Sequence, residues 1–233
     1  MAASQKPAPG GRPGVLLMDL DGTLADSAPD LAAAVNRLLA EHDRPALDVA
    51  TVETMLGDGA RVLVQRAFAA ASTGRTPDLD PLTARFVAIY GQGLTDETRL
   101  YPGVPETLST LAGDGWRLAV CTNKPEAAAR QVIEELGIGG LIEQVAGGDT
   151  HPVRKPDPEH LRATLRSMAA GTDRAVMLGD GRNDVLAAQA AGLPVIYAAY
   201  GYGDLDGSGL VPDATIDDFT LLPDTLSRLF AVV

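Results

Sequence analysis

The stretch "VLLMDLDGTLADS", Val15 to Ser27, closes an apolar run with two carboxylates, Asp19 and Asp21, just before a Gly-Thr turn. A short apolar run bounded by turn residues reads as a strand buried on both faces, as in a parallel sheet covered by helices. Two like charges held this close repel each other unless a cation lies between them. The run therefore marks a strand and, at its carboxyl end, a candidate site.

Runs of the same kind recur at "RLAVCTN" (117–123), "IEQVAGG" (142–148), "AVMLGD" (175–180) and "PVIYAAY" (194–200). Helical patterns lie between them. In "PEAAARQVIEELGI", Val132, Ile133 and Leu136 share a face before Gly137 ends the helix, and in "PDPEHLRATLRSM", Leu161, Leu165 and Met168 share one behind an Asp157 cap. The alternation predicts an α/β fold with a central parallel sheet flanked by helices.

The segment after the first run breaks this rhythm. Residues 28–98 contain no convincing strand, and "PDLAAAVNRLLAEH", "GARVLVQRAFAAA" and "PLTARFVAIYGQGL" read as helices. Leu31, Val35 and Leu38 form a stripe in the first, and Val62, Val64, Ala67 and Phe68 a less tidy one in the second. The expected organisation is a flexible leader over residues 1–13, an α/β core from residues 14–28 and 98–233, and a helical domain inserted over residues 29–97.

Composition narrows the function. The 233 residues carry 19 basic and 31 acidic side chains, a formal net charge of -12, which argues against a nucleic-acid partner. The run free of charge from Val185 to Gly203 is interrupted by Gln189, Gly192 and Pro194, so a helix and a buried strand explain it better than a membrane span. The leader "MAASQKPAPGGRPG" lacks the apolar core of a signal peptide, and Cys121 is the only cysteine, which together favour a reducing, cytoplasmic setting. The basic residues comprise 16 arginines and three lysines, at positions 6, 124 and 155.

In a parallel sheet the carboxyl ends of neighbouring strands open into one crevice. Those ends would bring together Asp19, Asp21 and Thr23, then Thr122 and Asn123, then Lys155, and lastly Asp180 and Asp184. So many carboxylates around one point call for a hard cation, and Mg²⁺ held by Asp19, Asp21 and Asp180 turns their repulsion into coordination. Asp184, four residues after Asp180, would orient the metal shell. The remaining oxygen of Asp19 would attack phosphorus, and Asp21 would protonate the leaving oxygen and later deprotonate water. Lys155, Thr122 and the backbone N–H groups after Asn123 would bind the phosphoryl oxygens of a small phosphorylated metabolite.

The motifs "DLDGT", "CTNK", "RKPDP" and "GDGRND", in this order, resemble the four signatures of the haloacid dehalogenase superfamily over nearly the whole chain. The resemblance implies a Rossmann-like core with an inserted α-helical cap of the C1 type. It also implies Asp19 as nucleophile, Asp21 as acid/base, Thr122 and Lys155 as phosphate ligands and Asp180 as metal ligand, with Asp21 reaching the metal through its backbone carbonyl. "DSAPDLAAAVNRLL", "LGDGARVLVQRAF" and "AAYGYG" are similar to the phosphoglycolate phosphatase branch, which implies 2-phosphoglycolate as the favoured substrate. Gly57 and Gly59 would then bring the cap to the substrate. Between them Asp58 stands where the resemblance implies an uncharged residue, and Arg61 or another cation would offset it.

Other uses of this scaffold compare less well. Dehalogenases of the superfamily lack the second carboxylate, and its phosphonate-cleaving members need a cap lysine, whereas residues 28–98 contain none. A phosphatase of another small ester such as a sugar phosphate, and a β-phosphoglucomutase-like phosphomutase, share every core motif. A phosphoaspartate signalling module, the rival outside enzymology, would place its aspartate on a middle strand rather than the first. Lys124 reads equally as a solvent-facing lysine or a phosphate contact and is left out of the candidate set. Cys121 should point into the core, and His42, His151 and His160, without ligand spacing, read as surface or helix residues.

Overall fold

The computed structural model describes residues 13–71 and 78–231, so the expected leader lies almost wholly outside the described residues. The first run forms β1 (Val15–Met18), whose side chains alternate between two cores. Leu16 and Met18 join one cluster and Val15 and Leu17 the other, which is why the strand is apolar at every position. Each fully buried leucine of this kind contributes about 1.5–3 kcal/mol.

The chain then passes through a short strand, β2 (Ala25–Asp26), into four helices: α1 (Ala28–Ala40), α2 (Val49–Glu53), α3 (Ala60–Ala70) and α4 (Leu79–Tyr90). It returns through β3 (Arg99–Leu100), which pairs antiparallel with β2, Ala25 facing Leu100, so that both ends of the helical insertion lie side by side. Buried Asp30 ties them: its carboxylate accepts the backbone N–H of Glu97 at 3.0 Å and of Thr98 at 2.8 Å. α1 buries Leu31, Val35 and Leu38 as its spacing predicts. On α3 the buried stripe is Leu63, Val64, Ala67 and Phe68, while Val62 is only half-buried.

The remainder alternates: α5 (Val104–Gly113), β4 (Arg117–Cys121), α6 (Glu126–Glu135), β5 (Gln144–Ala146), α7 (Pro158–Ser167), β6 (Ala175–Gly179), α8 (Arg182–Ala191), β7 (Val195–Ala198), β8 (Ala214–Ile216) and α9 (Leu222–Phe230). The main sheet is parallel, in the order β5-β4-β1-β6-β7-β8. The five expected runs are five of its six strands. β8 escaped the sequence reading because it lies at the sheet edge with only Ile216 buried, so no apolar run marks it. Among the described residues no helix is long and apolar enough to cross a membrane.

Cys121 is wholly buried, and burial pushes its thiol up to about 12. His160, expected on a surface or a helix, lies on α7 with no exposed area. Its Nδ1 lies 3.1 Å from the Val153 carbonyl oxygen and Nε2 has no partner among the described residues, an arrangement that suits a neutral ring. Burial, and after it the charge of Lys155, lowers this imidazole to about 4. The unfolded chain binds a proton near pH 6.5 whereas the folded chain resists until about pH 4. Stability from this group is thus complete above pH 6.5 and declines as pH falls toward 4, by on the order of 3 kcal/mol in total. His160→Gln should flatten the stability profile in that window, as read by urea unfolding at several pH values. An unchanged slope would contradict the neutral buried ring.

Candidate active site

The order of the sheet explains where the chemistry gathers. β1 has β4 on one side and β6 on the other, and Met18 lies level with Val120 and Leu178. The chain runs outward from β1 through β4 and β5, then returns to build the sheet from β6 on the opposite side. The crevice at such a reversal lies at the carboxyl ends of the strands. There Asp19, Thr122 and Asp180 emerge together, although they lie up to 161 residues apart in sequence.

Asp19, Asp180 and Asp184 are all buried, and one carboxylate oxygen from each lies within 4.8 Å of the others. Asp19 Oδ1 accepts the Leu20 N–H at 2.7 Å, and its Oδ2 lies 3.0 Å from Lys155 Nζ. Lys155, its side chain 1% exposed, also donates to Asp184 Oδ1 at 2.6 Å. Asp180 Oδ1 accepts the Thr23 hydroxyl at 3.0 Å. The cluster thus holds three buried carboxylates, and the Lys155 ammonium reaches two of them, Asp19 and Asp184. Burial, then the charges of Asp19 and Asp184, raises Asp180 to about 7, and burial raises Asp184 to about 6 against the pull of Lys155. The excess negative charge in a dry oxygen-lined site fits a divalent cation. The oxygens so gathered include Asp184, expected only to orient the metal shell, in place of the Asp21 carboxylate.

Asp21 is held elsewhere. Its Oδ1 accepts the Ser27 hydroxyl at 2.6 Å and Lys124 Nζ at 2.7 Å, which leaves Oδ2 without a hydrogen bond among the described residues. Lys124, set aside in the sequence, is 3% exposed and also donates to the Tyr90 hydroxyl at 2.7 Å. The pair with Asp21 raises Lys124 above the usual lysine range despite burial, which lowers it. Tyr90 ends α4, so one ammonium joins a core carboxylate to the helical insertion. A lysine at the start of a helix gives no sequence signal of burial. Its scarcity in this chain was the only hint.

Thr122 and Asn123 follow β4. Thr122 Oγ1 accepts the Lys124 N–H at 3.2 Å. Asn123 Nδ2 donates to the carbonyls of Gly57 at 2.9 Å and Lys155 at 3.0 Å, while its buried Oδ1 has no partner among the described residues. Asn183 also donates to the Gly57 carbonyl, at 3.2 Å, and to Asp58 Oδ1 at 2.8 Å. Gly57 therefore docks the insertion onto the strand ends, and Gly59 passes beside the Asn123 carbonyl. Of the cations that could offset Asp58, Arg61 is exposed and pairs with Asp80 instead, and Arg66 takes the part, pairing with Asp58 at 2.5 Å. The helical turn decides this: Arg66 lies on the face of α3 that returns to the loop, and Arg61 faces α4.

The profile of the haloacid dehalogenase-like hydrolases matches residues 14–192. The chain belongs to this family. It is 46% identical over 219 residues to the phosphoglycolate phosphatase of Rhodospirillum rubrum, covering 92% of this chain and 91% of that one. It is 40% identical to the phosphoglycolate phosphatase of Agrobacterium fabrum, covering 90% and 91%. Among solved structures, a protein described as a predicted phosphoglycolate phosphatase from Haemophilus somnus superposes with a TM-score of 0.85 at 34% identity, covering 92% of this chain and 98% of that one.

In this haloacid dehalogenase-like hydrolase the loop "YGYG", to which the sequence assigned no task, closes the back of the site. The N–H groups of Tyr202 and Gly203 donate to Asp180 Oδ2 at 2.9 and 3.2 Å. A Cβ on Gly203 would stand 1.9 Å from the Asp180 carbonyl oxygen, so only glycine permits this approach. The Tyr202 hydroxyl accepts the Ser27 N–H at 2.6 Å and donates to Asp26 at 2.7 Å, fixing the linker into α1. Gly22 has the same necessity with φ +82°, and a Cβ there would strike the Asp180 carboxylate at 2.3 Å.

Two cavities open on Asp19 and Asp21. One, of about 230 Å³, runs between the insertion and α6 and is walled mainly by apolar side chains. The other, of about 370 Å³, is lined mainly by polar and charged residues, among them Glu53, Asp58 and Asp204 beside Arg66, Arg182 and Asn183. Arg182 is exposed and has no ion pair among the described residues.

Proposed function

We propose that this protein is a Mg²⁺-dependent phosphatase of small phosphomonoesters, working through an aspartyl phosphate on Asp19, with 2-phosphoglycolate as its favoured substrate. The observation that carries the chemistry is the buried set of Asp19, Asp180 and Asp184 around Lys155 at the ends of β1 and β6. The substrate is supported by relatives at 46% and 40% identity that bear the name phosphoglycolate phosphatase. Asp19, Asp180 and Asp184 would hold Mg²⁺, together with the Asp21 carbonyl that the family resemblance implies. Bound there, it would neutralise carboxylate and phosphoryl charge.

The residues of the chain supply the rest. Asp19 Oδ attacks phosphorus as the ester P–O bond breaks, and Asp21 Oδ2 gives its proton to the departing oxygen. Lys124 and Ser27 hold Asp21 by its other oxygen, so this proton donor keeps one orientation. Asp21 then takes a proton from water, whose oxygen attacks the aspartyl phosphate, releasing inorganic phosphate and the Asp19 carboxylate. Thr122 and Lys155 bind the phosphoryl oxygens, and the helical insertion acts as a cap that excludes bulk water. The glycolate carboxylate would face the polar cavity, where Arg182 is the available cation. We place the enzyme in the cytoplasm, where its lone Cys121 stays reduced.

Phosphate release from 2-phosphoglycolate, sugar phosphates and nucleotides, with and without Mg²⁺, tests this reading. A metal-dependent preference for 2-phosphoglycolate is expected. An even, weak profile would remove the substrate but keep the chemistry, and isomerised sugar phosphate without release would indicate a mutase.

A further inference from the structure

2-Phosphoglycolate needs only one of the two cavities. Its short, charged alcohol suits the polar one, and the apolar cavity of about 230 Å³ is left without a task. Behind the mouth of that cavity, where Asp19, Asp21 and Lys124 stand, its described lining carries no charge. Leu31, Leu63, Phe86 and Tyr90 of the insertion form one wall and Ala127 and Ala128 of α6 the other. Leu31, Leu63, Phe86 and Tyr90 are each more than nine-tenths buried.

A carboxylate driven among these side chains would lose its hydration and gain no partner. A hydrocarbon group would bury apolar area on both sides, and a mostly apolar concavity with a few polar groups at one end is the usual form of a small-molecule site. The polar end here is the reacting end.

Resting on the phosphatase reading above, we propose that the apolar cavity receives the alcohol portion of a second substrate class, phosphomonoesters of aromatic or branched aliphatic alcohols. The phosphoryl group lies at Asp19 and the ester oxygen at Asp21, and the hydrocarbon extends past Lys124 between α4 and α6. The hydrolysis is the same: the ester P–O bond breaks, the alcohol leaves with the proton of Asp21, and one water completes inorganic phosphate and returns that proton.

The test compares methyl, isobutyl and benzyl phosphate on the Mg²⁺-loaded enzyme, since their alcohols are of similar acidity and differ mainly in what enters the cavity. Benzyl phosphate should exceed methyl phosphate in kcat/KM by at least about tenfold, the effect of apolar groups entering an apolar pocket. Ala128→Phe, at a half-buried helix position, fills the cavity and should reduce that ratio toward one. Binding of benzylphosphonate and methylphosphonate by calorimetry gives a readout independent of turnover. If 2-phosphoglycolate is hydrolysed but the benzyl-to-methyl ratio is near one, the cavity proposal is overturned and the phosphatase reading stands. If no ester is hydrolysed, the phosphatase reading falls. The phosphonates then decide the cavity: tighter benzylphosphonate supports it, and equal binding overturns it.

Discussion

Asp19→Asn is expected to lower phosphate release by at least about 10⁴-fold, the scale of losing a catalytic nucleophile, while the protein stays folded. The geometry explains why the two effects separate. Asparagine keeps the shape of the side chain and its Oδ1 can still accept the Leu20 N–H, now 2.7 Å away. What it loses is the second oxygen, the one 3.0 Å from Lys155 Nζ, and with it the attack on phosphorus proposed for this residue. The lost ion pair is offset because the substitution also removes one of three mutually repelling buried carboxylates. The melting temperature should therefore stay within about 4 °C of wild type, the shift that ~1 kcal/mol produces in a chain of this size. Phosphate release and a thermal melt on the same preparation check both halves. Activity surviving at a substantial fraction of wild type in a folded variant would exclude Asp19 as nucleophile.

The parts of this site that follow from local patterns were legible in the sequence. Asp19, Thr122 and Asp180 each close an apolar run, and parallel strands bring their carboxyl ends to one edge whatever lies between. Lys155 was legible because it precedes a helix with an aspartate cap. What escaped depends on contacts between distant segments. Tyr202 reaches back 175 residues to Ser27, and nothing in "YGYG" encodes that partner. Asn183 reads as a polar residue in the first turn of a helix until the Gly57 carbonyl is seen against it. The choice between Arg61 and Arg66 turned on which side of α3 faces the loop, a rotation that composition does not fix. β2 and β3 are two residues each, and only their mutual pairing identifies them as strands.

Lys124→Met is the other substitution expected to have a large effect, and its signature should depend on the leaving group. Lys124 holds one oxygen of Asp21 and the hydroxyl of Tyr90 at 2.7 Å each, with its ammonium 4.7 Å from the Tyr90 ring centroid. Methionine fills similar space without the charge, so Asp21 keeps only Ser27 as an anchor. Breaking a buried ion pair by removing one partner costs roughly 3 kcal/mol or more, and the lower end applies because Asp21 is partly open to solvent. Lys124→Arg should not restore the arrangement, since a planar fork does not replace a compact ammonium in a closed site. In the proposed mechanism kcat/KM covers only the steps through formation of the aspartyl phosphate, so it would isolate the moment at which Asp21 gives its proton. For 2-phosphoglycolate, whose alkoxide needs that proton, kcat/KM should fall by roughly 10²-fold. For p-nitrophenyl phosphate, whose leaving group departs without one, the loss should be only a few-fold. Tyr90→Phe keeps the ring beneath the ammonium and should show the same leaving-group dependence at smaller size. Equal losses on both esters would mean that Lys124 acts on phosphate binding or on the fold at large. Unequal losses would mean that the cap, through Tyr90 and Lys124, sets the orientation of the proton donor, so that closing the site and arming it are one event.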